Sequence, residues 1–168
     1  MNRIILSKGN FAIRETEIED SQIILSYIKK IAAYEKMSNH VVAKLNDVEE
    51  TIFKKKQAHV VLAIYKNQPI GFMLYFYTYS TFLGRANLYL EDLFIDEAYR
   101  HKGYGKLMFE ALAKIALDQG CKRIDWMCLD WNQPSIDFYK SIGAKALDQW
   151  ITFRLETKDI KNLIEKKA

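Results

Sequence analysis

Two adjacent carboxylates stand inside an apolar stretch of the chain, Glu91 and Asp92 in YLEDLFI (89–95). Burying a carboxylate in an apolar layer is unfavourable unless the group is paired, hydrated or protonated. Because successive side chains of a strand alternate between its faces, we expect Glu91 and Asp92 to point to opposite sides of a sheet. Carboxylates in such a position can act as general acids or bases. A structural ion pair with Arg100 or Arg123 is the alternative.

A glycine-containing turn, RHKGYG (100–105), separates this predicted strand from a predicted helix. Glycine lets the backbone turn tightly and approach a ligand, and the N–H groups at a helix N-terminus attract anions. With the charges of Arg100 and Lys102, the turn is suited to a phosphate or pyrophosphate. The Walker pattern GxxxxGKS/T fails at Leu107, and the dinucleotide pattern GxGxxG fails at Met108. The weaker pattern R/QxxGxG remains, and a helix entry without a ligand is its alternative.

The surrounding strands and helices must position these groups. Apolar, β-branched and alternating segments predict strands over 11–16, 59–66, 70–80, 87–95, 123–129 and 150–156. Apolar residues at helical spacing, with capping residues before them and glycines after them, predict five helices. The first runs from a capping box at 16–19 to Tyr34, and the others cover 46–57, 105–119, 134–143 and 157–166. The order of elements, without repeats or linkers, indicates one mixed α/β domain over 1–168.

Length and charge narrow the class of function. The chain has 168 residues, 49% of them hydrophobic, which suits one domain with a sizeable core. Its net charge is +4, from 25 basic and 21 acidic residues that are spread along the sequence. This modest excess suits a small anionic ligand and gives no support to nucleic-acid binding. His40, His59 and His101 lack metal-ligand spacing, so we expect no metal site.

Other signals concern the cellular compartment. Cys121 and Cys128 have no framework spacing, which favours reduced thiols in a cytosolic protein. The first residues show no long apolar segment with flanking charge and a small-residue cleavage site, so we expect no secretion signal. The most apolar run, FMLYFYTYSTF (72–82), is shorter than the ~20 residues of a spanning helix. We therefore expect a soluble, cytoplasmic protein with no membrane partner.

The turn and several further segments resemble the GNAT superfamily of N-acetyltransferases, over about residues 11 to 155. Within it, the chain is most similar to the diamine and polyamine branch, the spermidine/spermine and thialysine acetyltransferases. The matching segments are AAYEKM (32–37), YLED (89–92), YRHKGYG (99–105) and DWNQPSIDFYKSIGA (130–144). The last is the most specific, because several independent positions recur at fixed spacing. The resemblance implies the GNAT fold, a central, mostly antiparallel twisted sheet flanked by helices.

The same resemblance implies acetyl-CoA as the co-substrate, with no metal, and assigns residues to it. Backbone groups that would contact pantetheine belong to Leu93, Phe94 and Ile95. The turn that would enclose the pyrophosphate consists of Arg100, His101, Lys102, Gly103, Tyr104, Gly105 and Lys106. A second coenzyme-contacting segment would be Asn132, Gln133, Pro134 and Ser135.

Catalytic and substrate roles are implied in the same way. Tyr139 matches the general acid that protonates the CoA thiolate, and Glu91 matches the carboxylate that receives the proton of the amine through water. Residues implied for the amine site, or adjacent to it in our interpretation, are Tyr34, Glu35, Asp92, Asp148 and Trp150. Core packing for Tyr139 and Trp150, a solvated helix end for Glu35 and a structural pairing for Asp92 are the alternatives. Ser80 stands where the spermidine/spermine enzymes carry an aspartate, which favours short diamines or lysine-like amines.

The implied function is acetyl transfer from acetyl-CoA to a primary amine of a small diamine, polyamine or lysine-like molecule. Attack would be direct, in a ternary complex. Acetylation of a protein amine or an aminoglycoside, and an acetyl-CoA sensor without catalysis, are the alternatives. Enzymes of this branch are usually dimers, and the predicted strand 150–156 would offer an exposed edge, so we expect a homodimer.

Overall fold

The computed structural model of the chain describes residues 3–165, which form two compact units that divide between Met127 and Cys128. Within this range, the first unit contains a six-stranded sheet and three α-helices, and the second contains two α-helices. The single domain expected over 1–168 stays a prediction.

Val, Ile and aromatic residues dominate the strands of the sheet, as the pleated, half-buried surface of a sheet favours. The strands are β1 (Ile4–Lys8), β2 (Phe11–Glu15), β3 (His59–Tyr65), β4 (Gln68–Ser80), β5 (Arg85–Ile95) and β6 (Ile124–Trp126). They lie in chain order, antiparallel from β1 to β5, with β6 parallel to β5. The sheet is therefore mixed, and the predicted α/β fold with a mostly antiparallel sheet is confirmed.

Three α-helices accompany the sheet: α1 (Ser21–Tyr34), α2 (Leu45–Val48), which continues as a π-helical turn at Glu49–Lys54, and α3 (Tyr104–Asp118). The predicted apolar stripe of α1 packs on one side of the sheet. Ile24 and Tyr27 are buried in one cluster with Leu62 and Phe72, and the rings of Tyr27 and Phe72 stack at 5.4 Å.

The helix α3 supplies the crossover that parallel pairing of β5 with β6 requires. Its apolar stripe is buried at Met108 and Leu112, and the ring of Phe109 meets that of Trp126 at 5.3 Å. The predicted bounds of this helix, 105–119, are nearly those observed. Gly120 adopts φ +70°, the left-handed conformation that commonly ends a helix.

Residues 128–165 form the second unit, with α4 (Gln133–Ser141) and α5 (Thr157–Glu165). The predicted strand over 150–156 is wrong, since these residues form no strand. Alternation of apolar and polar residues fits a strand, but a strand exists only where its backbone groups pair with another strand. The strand predicted over 123–129 is shortened to β6. Among residues 3–165, no helix has the length and apolar character needed to cross a bilayer.

Candidate active site

A β-bulge interrupts the pairing of β4 with β5. Leu74 is matched with Asp92 and Tyr75 with Leu90, so Glu91 has no cross-strand counterpart. Two residues of β5 therefore oppose one residue of β4, which is the defining arrangement of a bulge. The extra residue changes the face to which the side chains around it point.

Glu91 and Asp92 lie on the same face of the sheet as a result. Leu90 and Leu93 both match residues on one face of β4, so the two residues between them lie on the other face. Phe94 packs against the core beneath α1, which makes this the α1 face. The expectation that the two acids point to opposite faces is wrong, because the register across β4 sets the faces and the bulge shifts that register.

Glu35 brings a third carboxylate to this pair, from the C-terminal end of α1. Burial and then the charges of Glu91 and Glu35 raise the pKa of Asp92 to about 7. Burial and then the charge of Glu91 raise the pKa of Glu35. We call Glu35, Glu91 and Asp92 the acidic cluster.

No cation of residues 3–165 forms an ion pair with Glu91 or Asp92, so the predicted alternative of a structural pair is not found. Like charges disfavour one another, and the C-terminus of a helix is its negative end, which disfavours Glu35 further. Glu91 is exposed, while Glu35 and Asp92 are half-buried. Carboxylates that are solvent-accessible and have no ion-pair partner within residues 3–165 are chemically suited to bind a cation.

Arg100 contacts both the end of α1 and the end of β5. Its Nε donates to the carbonyl oxygen of Ile95 at 2.9 Å. Its guanidinium carbon is 4.9 Å from the ring centre of Tyr34 and 5.1 Å from that of Phe94. The two rings contact each other edge to face at 6.4 Å. Arg100 therefore fixes Tyr34, and with it the end of α1, against β5.

The backbone of Leu93, Phe94 and Ile95 is paired by β4 on one side only. On the other side, β6 matches β5 no further than Leu90 within the described sheet. The outer N–H and C=O groups of these residues therefore lie beyond the end of the β6 ladder. A strand edge of this kind can hydrogen-bond the amide groups of an extended ligand.

The turn after β5 has the backbone conformation of an anion site. His101 and Gly103 adopt positive φ, +60° and +82°, and α3 begins directly afterwards at Tyr104. Alternating left-handed positions turn successive N–H groups into one concavity, and the first N–H groups of a helix have no partner inside the helix. A Cβ on Gly103 would meet no atom within 4 Å, so the space beside the turn is open.

This turn fits a phosphate group through its backbone rather than its side chains. The Nζ of Lys102 donates to the carbonyl oxygen of Ala98 at 2.7 Å. The ring of Tyr104 stacks on Phe11 at 4.6 Å. Gly105 and Lys106 belong to the first turn of α3, where N–H groups point toward a ligand.

The second unit holds the remaining candidates. The side chain of Asn132 accepts a hydrogen bond from the N–H of Ser135 and so caps α4. Pro134 lies in the first turn of that helix, where its fixed φ is favourable. Gln133 donates to the carboxylate of Asp137 at 2.6 Å. Tyr139 lies on α4, half-buried, and Asp148 and Trp150 lie beyond the helix and are exposed.

Asp96 is a positioning residue that the sequence did not reveal. It follows β5 directly, accepts a hydrogen bond from the hydroxyl of Tyr27 at 3.1 Å, and pairs with Lys30 at 2.6 Å. These contacts tie α1 to the end of β5 and so set where Glu35 lies. A lone Asp after a strand carries no signal of this role, because its partners are more than sixty residues away. Among residues 3–165 no group of three or more His, Cys, Asp or Glu could hold a metal ion.

Comparison with known families matches residues 27–144 to the acetyltransferase (GNAT) family. A thialysine N-epsilon-acetyltransferase of Bos taurus is 34% identical over 170 residues, covering 92% of this chain and 97% of that protein. A thialysine N-epsilon-acetyltransferase of Caenorhabditis elegans is 32% identical over 150 residues, covering 88% and 92%. The human spermidine/spermine N(1)-acetyltransferase-like protein 1 is 31% identical over 165 residues, covering 92% of this chain and 24% of that protein.

Solved structures share the fold at lower identity. An integron cassette protein from the mobile metagenome of V. cholerae superposes with a TM-score of 0.79 at 22% identity, over 95% of this chain and 100% of that one. An aminoglycoside acetyltransferase from an uncultured soil sample superposes with a TM-score of 0.75 at 18% identity, over 88% and 96%. These likenesses establish the architecture of the chain.

Proposed function

This chain belongs to the acetyltransferase (GNAT) family, and we propose that it acetylates a primary amine of a small diamine, polyamine or lysine-like molecule. Enzymes of the family use acetyl-CoA as the acetyl donor. The observation that carries the proposal is the acidic cluster on the α1 face, where three carboxylates gather and the pKa of Asp92 is about 7.

The chemistry of amines explains why such a cluster is useful. An alkylammonium has a pKa of ~10.4, so at pH 7 only about one molecule in 10³ is a free, nucleophilic amine. Supplying that form costs roughly 4–5 kcal/mol at 1.36 kcal/mol per pKa unit. A carboxylate within reach, directly or through water, binds the cation and takes its proton. We assign this proton transfer to Glu91, and binding of the cation to Asp92, Glu35 and Tyr34.

Acetyl-CoA, when bound, supplies an acetyl group activated as a thioester. The turn from Arg100 to Lys106 would hold its pyrophosphate through backbone N–H groups. The strand edge at Leu93, Phe94 and Ile95 would hold its pantetheine amides. On the grounds of sequence alone, we propose that the segment from Asn132 to Ser135 also contacts the coenzyme and that Tyr139 donates a proton to the departing sulfur. We propose direct attack by the amine in a ternary complex.

Ser80 supports short or lysine-like amines over long polyamines. Its hydroxyl accepts the N–H of Leu83 at 3.2 Å, so it serves the turn between β4 and β5. It offers no charge to a second or third ammonium group. We propose Asp148 and Trp150 as further amine-site residues on the grounds of sequence alone.

We also propose that the protein is a homodimer. Residues 151–156 alternate exposed apolar side chains, Ile151, Phe153 and Leu155, with polar ones. A segment with the pattern of a strand and no strand conformation is suited to pair with a second copy of the chain.

A panel of amines tests the function. CoA-thiol release from acetyl-CoA would be measured with putrescine, spermidine, lysine, thialysine, an aminoglycoside and a lysine peptide. We expect turnover with the short diamine or the lysine-like amines, and little with the aminoglycoside or peptide. Turnover confined to the aminoglycoside or the peptide would replace the proposed substrate class. Tight acetyl-CoA binding without turnover on any amine would indicate a sensor instead.

A further inference from the structure

An ion pair on β6 lies outside the site described so far. The Nε of Arg123 donates to Oδ2 of Asp125 at 2.8 Å, with side-chain exposures of 54% and 30%. An Arg guanidinium carries five N–H donors and a carboxylate has two acceptor oxygens, so this bond uses a small part of either group. Both side chains are reachable from solvent and can bind a further partner.

The register of β5 with β6 places this pair on the face of the acidic cluster. Asp125 is matched with Tyr89, which is two residues before Glu91 on the same strand and therefore shares its face. Arg123, two residues before Asp125, shares that face as well. The charges of Glu91 and Asp125 both reach Tyr89 and, after burial, raise its pKa. Tyr89 therefore lies between the acidic cluster and the ion pair.

The spacing between the two features matches the length of a short amino acid. Alternate residues of a strand are ~6.8 Å apart and neighbouring strands ~4.8 Å apart, so roughly 8 Å separates the Cα atoms of Glu91 and Asp125. With bonds of ~1.5 Å, the extended side chain of lysine spans about 6 Å from the α-carbon to the terminal nitrogen. A molecule of this length can reach both features at once.

We propose that the Arg123–Asp125 pair binds the α-carboxylate and α-ammonium groups of an amino acid whose terminal amine lies at the acidic cluster. Arg123 would bind the carboxylate with its remaining N–H groups, and Asp125 would bind the ammonium. The inference rests on the proposed function and names its substrate class, an amino acid with a terminal amine. A plain diamine has no carboxylate to accept the remaining N–H groups of Arg123, and a longer polyamine would place a further cation near Arg123.

Asn87 is a further polar group at this end of β5. Leu88 is matched with Ile124, and the N–H of Leu88 donates to the carbonyl oxygen of Arg123. Asn87 and Arg123 each come one residue earlier on their strands, so they lie side by side. The side chain of Asn87 is fully buried, and neither atom of its amide has a hydrogen-bond partner among residues 3–165. Such a group in a folded protein calls for a partner such as a bound water or a ligand atom. Its position supports a polar subsite beside Arg123.

Three matched substrates test the proposal: lysine, cadaverine, which lacks the carboxylate, and 6-aminohexanoate, which lacks the α-amine. The wild-type protein should show its highest kcat/KM with lysine. Arg123→Gln should lower kcat/KM for lysine and 6-aminohexanoate about ten- to a hundredfold, the usual effect of losing a charged hydrogen bond, and leave cadaverine within about threefold. Asp125→Asn should lower kcat/KM for lysine and cadaverine and leave kcat/KM for 6-aminohexanoate unchanged.

Two further variants keep the result interpretable. Lys122→Gln removes a neighbouring positive charge and should leave kcat/KM unchanged for all three substrates. Arg123→Lys keeps the charge but loses the planar fork, and should retain part of the preference for lysine over cadaverine. Equal losses with all three substrates in Arg123→Gln, or a wild-type preference for cadaverine, would overturn the subsite. Absence of transfer to every amine would instead overturn the proposed function.

Discussion

Glu91 is the residue on which the proposed chemistry depends most directly. Replacing it as Glu91→Gln should lower kcat/KM at pH 7 by about 10²–10⁴-fold, the usual contribution of a positioned base. The deficit should shrink above pH 9, because the amine then loses its proton without help. A pH–rate profile over pH 6–10 measures this. Glu110→Gln, an exposed charge removal on α3, is the control and should follow the wild type. A profile parallel to the wild type would remove Glu91 as the base.

Asp92 should make stability depend on pH. Its pKa rises from 3.8 to about 7 on folding, so the folded protein loses stability as pH rises from about 4 through about 7. Asp92→Asn has no such group and should be more stable than the wild type above pH 7, by at most about 4 kcal/mol. The difference should vanish near pH 4. Urea unfolding at pH 4, 6 and 8 measures it, and a difference that does not vary with pH would contradict the assignment.

Tyr139 should act on the transfer step and not on binding. Tyr139→Phe removes the hydroxyl and keeps the ring, so acetyl-CoA affinity by calorimetry should be unchanged. The rate of transfer should fall about tenfold or more, because a thiol with a pKa near 8.5 leaves most readily when it is protonated at pH 7. If this variant turns over at the wild-type rate, Tyr139 is not the general acid and its ring serves packing only.

At the residue scale, the sequence identified Glu91, Asp92 and Glu35 but not their arrangement. Strand alternation predicted opposite faces for the first two, because a bulge depends on the partner strand and leaves no mark in β5 itself. The role of Asp96 was not predicted either, because its contacts with Tyr27 and Lys30 form only on folding. The roles of these residues stay predictions until the variants above are measured.

Gly71 illustrates how one element can position another. A Cβ there would lie 2.4 Å from the carbonyl oxygen of Phe94 and 2.7 Å from Cδ1 of Ile95. Gly71→Ala should therefore push β4 away from β5, costing about 1–3 kcal/mol of stability, typical of overpacking. It should also weaken acetyl-CoA binding, because the strand edge proposed for pantetheine moves. Thermal unfolding and calorimetry measure the two effects.

Gly84→Ala is the matched control for this element. Gly84 has φ +63°, and a Cβ added to it would meet no atom within 4 Å, so only backbone strain of about 1–2 kcal/mol is expected. Its acetyl-CoA affinity should equal that of the wild type. Equal affinity in both variants would show that the contact of Gly71 with β5 does not shape the cofactor site.

At the element scale, local patterns predicted most strands and helices, because their periodicity coincides with burial. The helix α3 and the strands β3, β4 and β5 are within about two residues of their predicted bounds. The strand β1 was missed, since its edge position leaves it half exposed and its sequence, IILSK, lacks alternation. The strand over 150–156 was wrong because pairing, unlike alternation, cannot be read from one segment.

The oligomeric state is the prediction that belongs to the whole molecule. Sedimentation at micromolar concentration should give a mass near twice the 19.7 kDa of the chain. Phe153→Asp should shift the protein toward the monomer, because a charge cannot be buried without a partner. Val42→Asp, a change at an exposed valine of the first unit, is the control. A monomeric wild type at all concentrations would contradict the proposed dimer.

The bulge at Glu91 also bears on how this fold can lose its activity. Loss of a single residue there would restore an uninterrupted ladder between β4 and β5, and regular pairing is the more stable state of a sheet. Deletion of that one residue would thus give a more stable sheet that no longer holds two acids together on one face. At this position the activity requires an irregular ladder, while stability favours a regular one. An inactive relative that had lost the bulge would have a β5 that is one residue shorter.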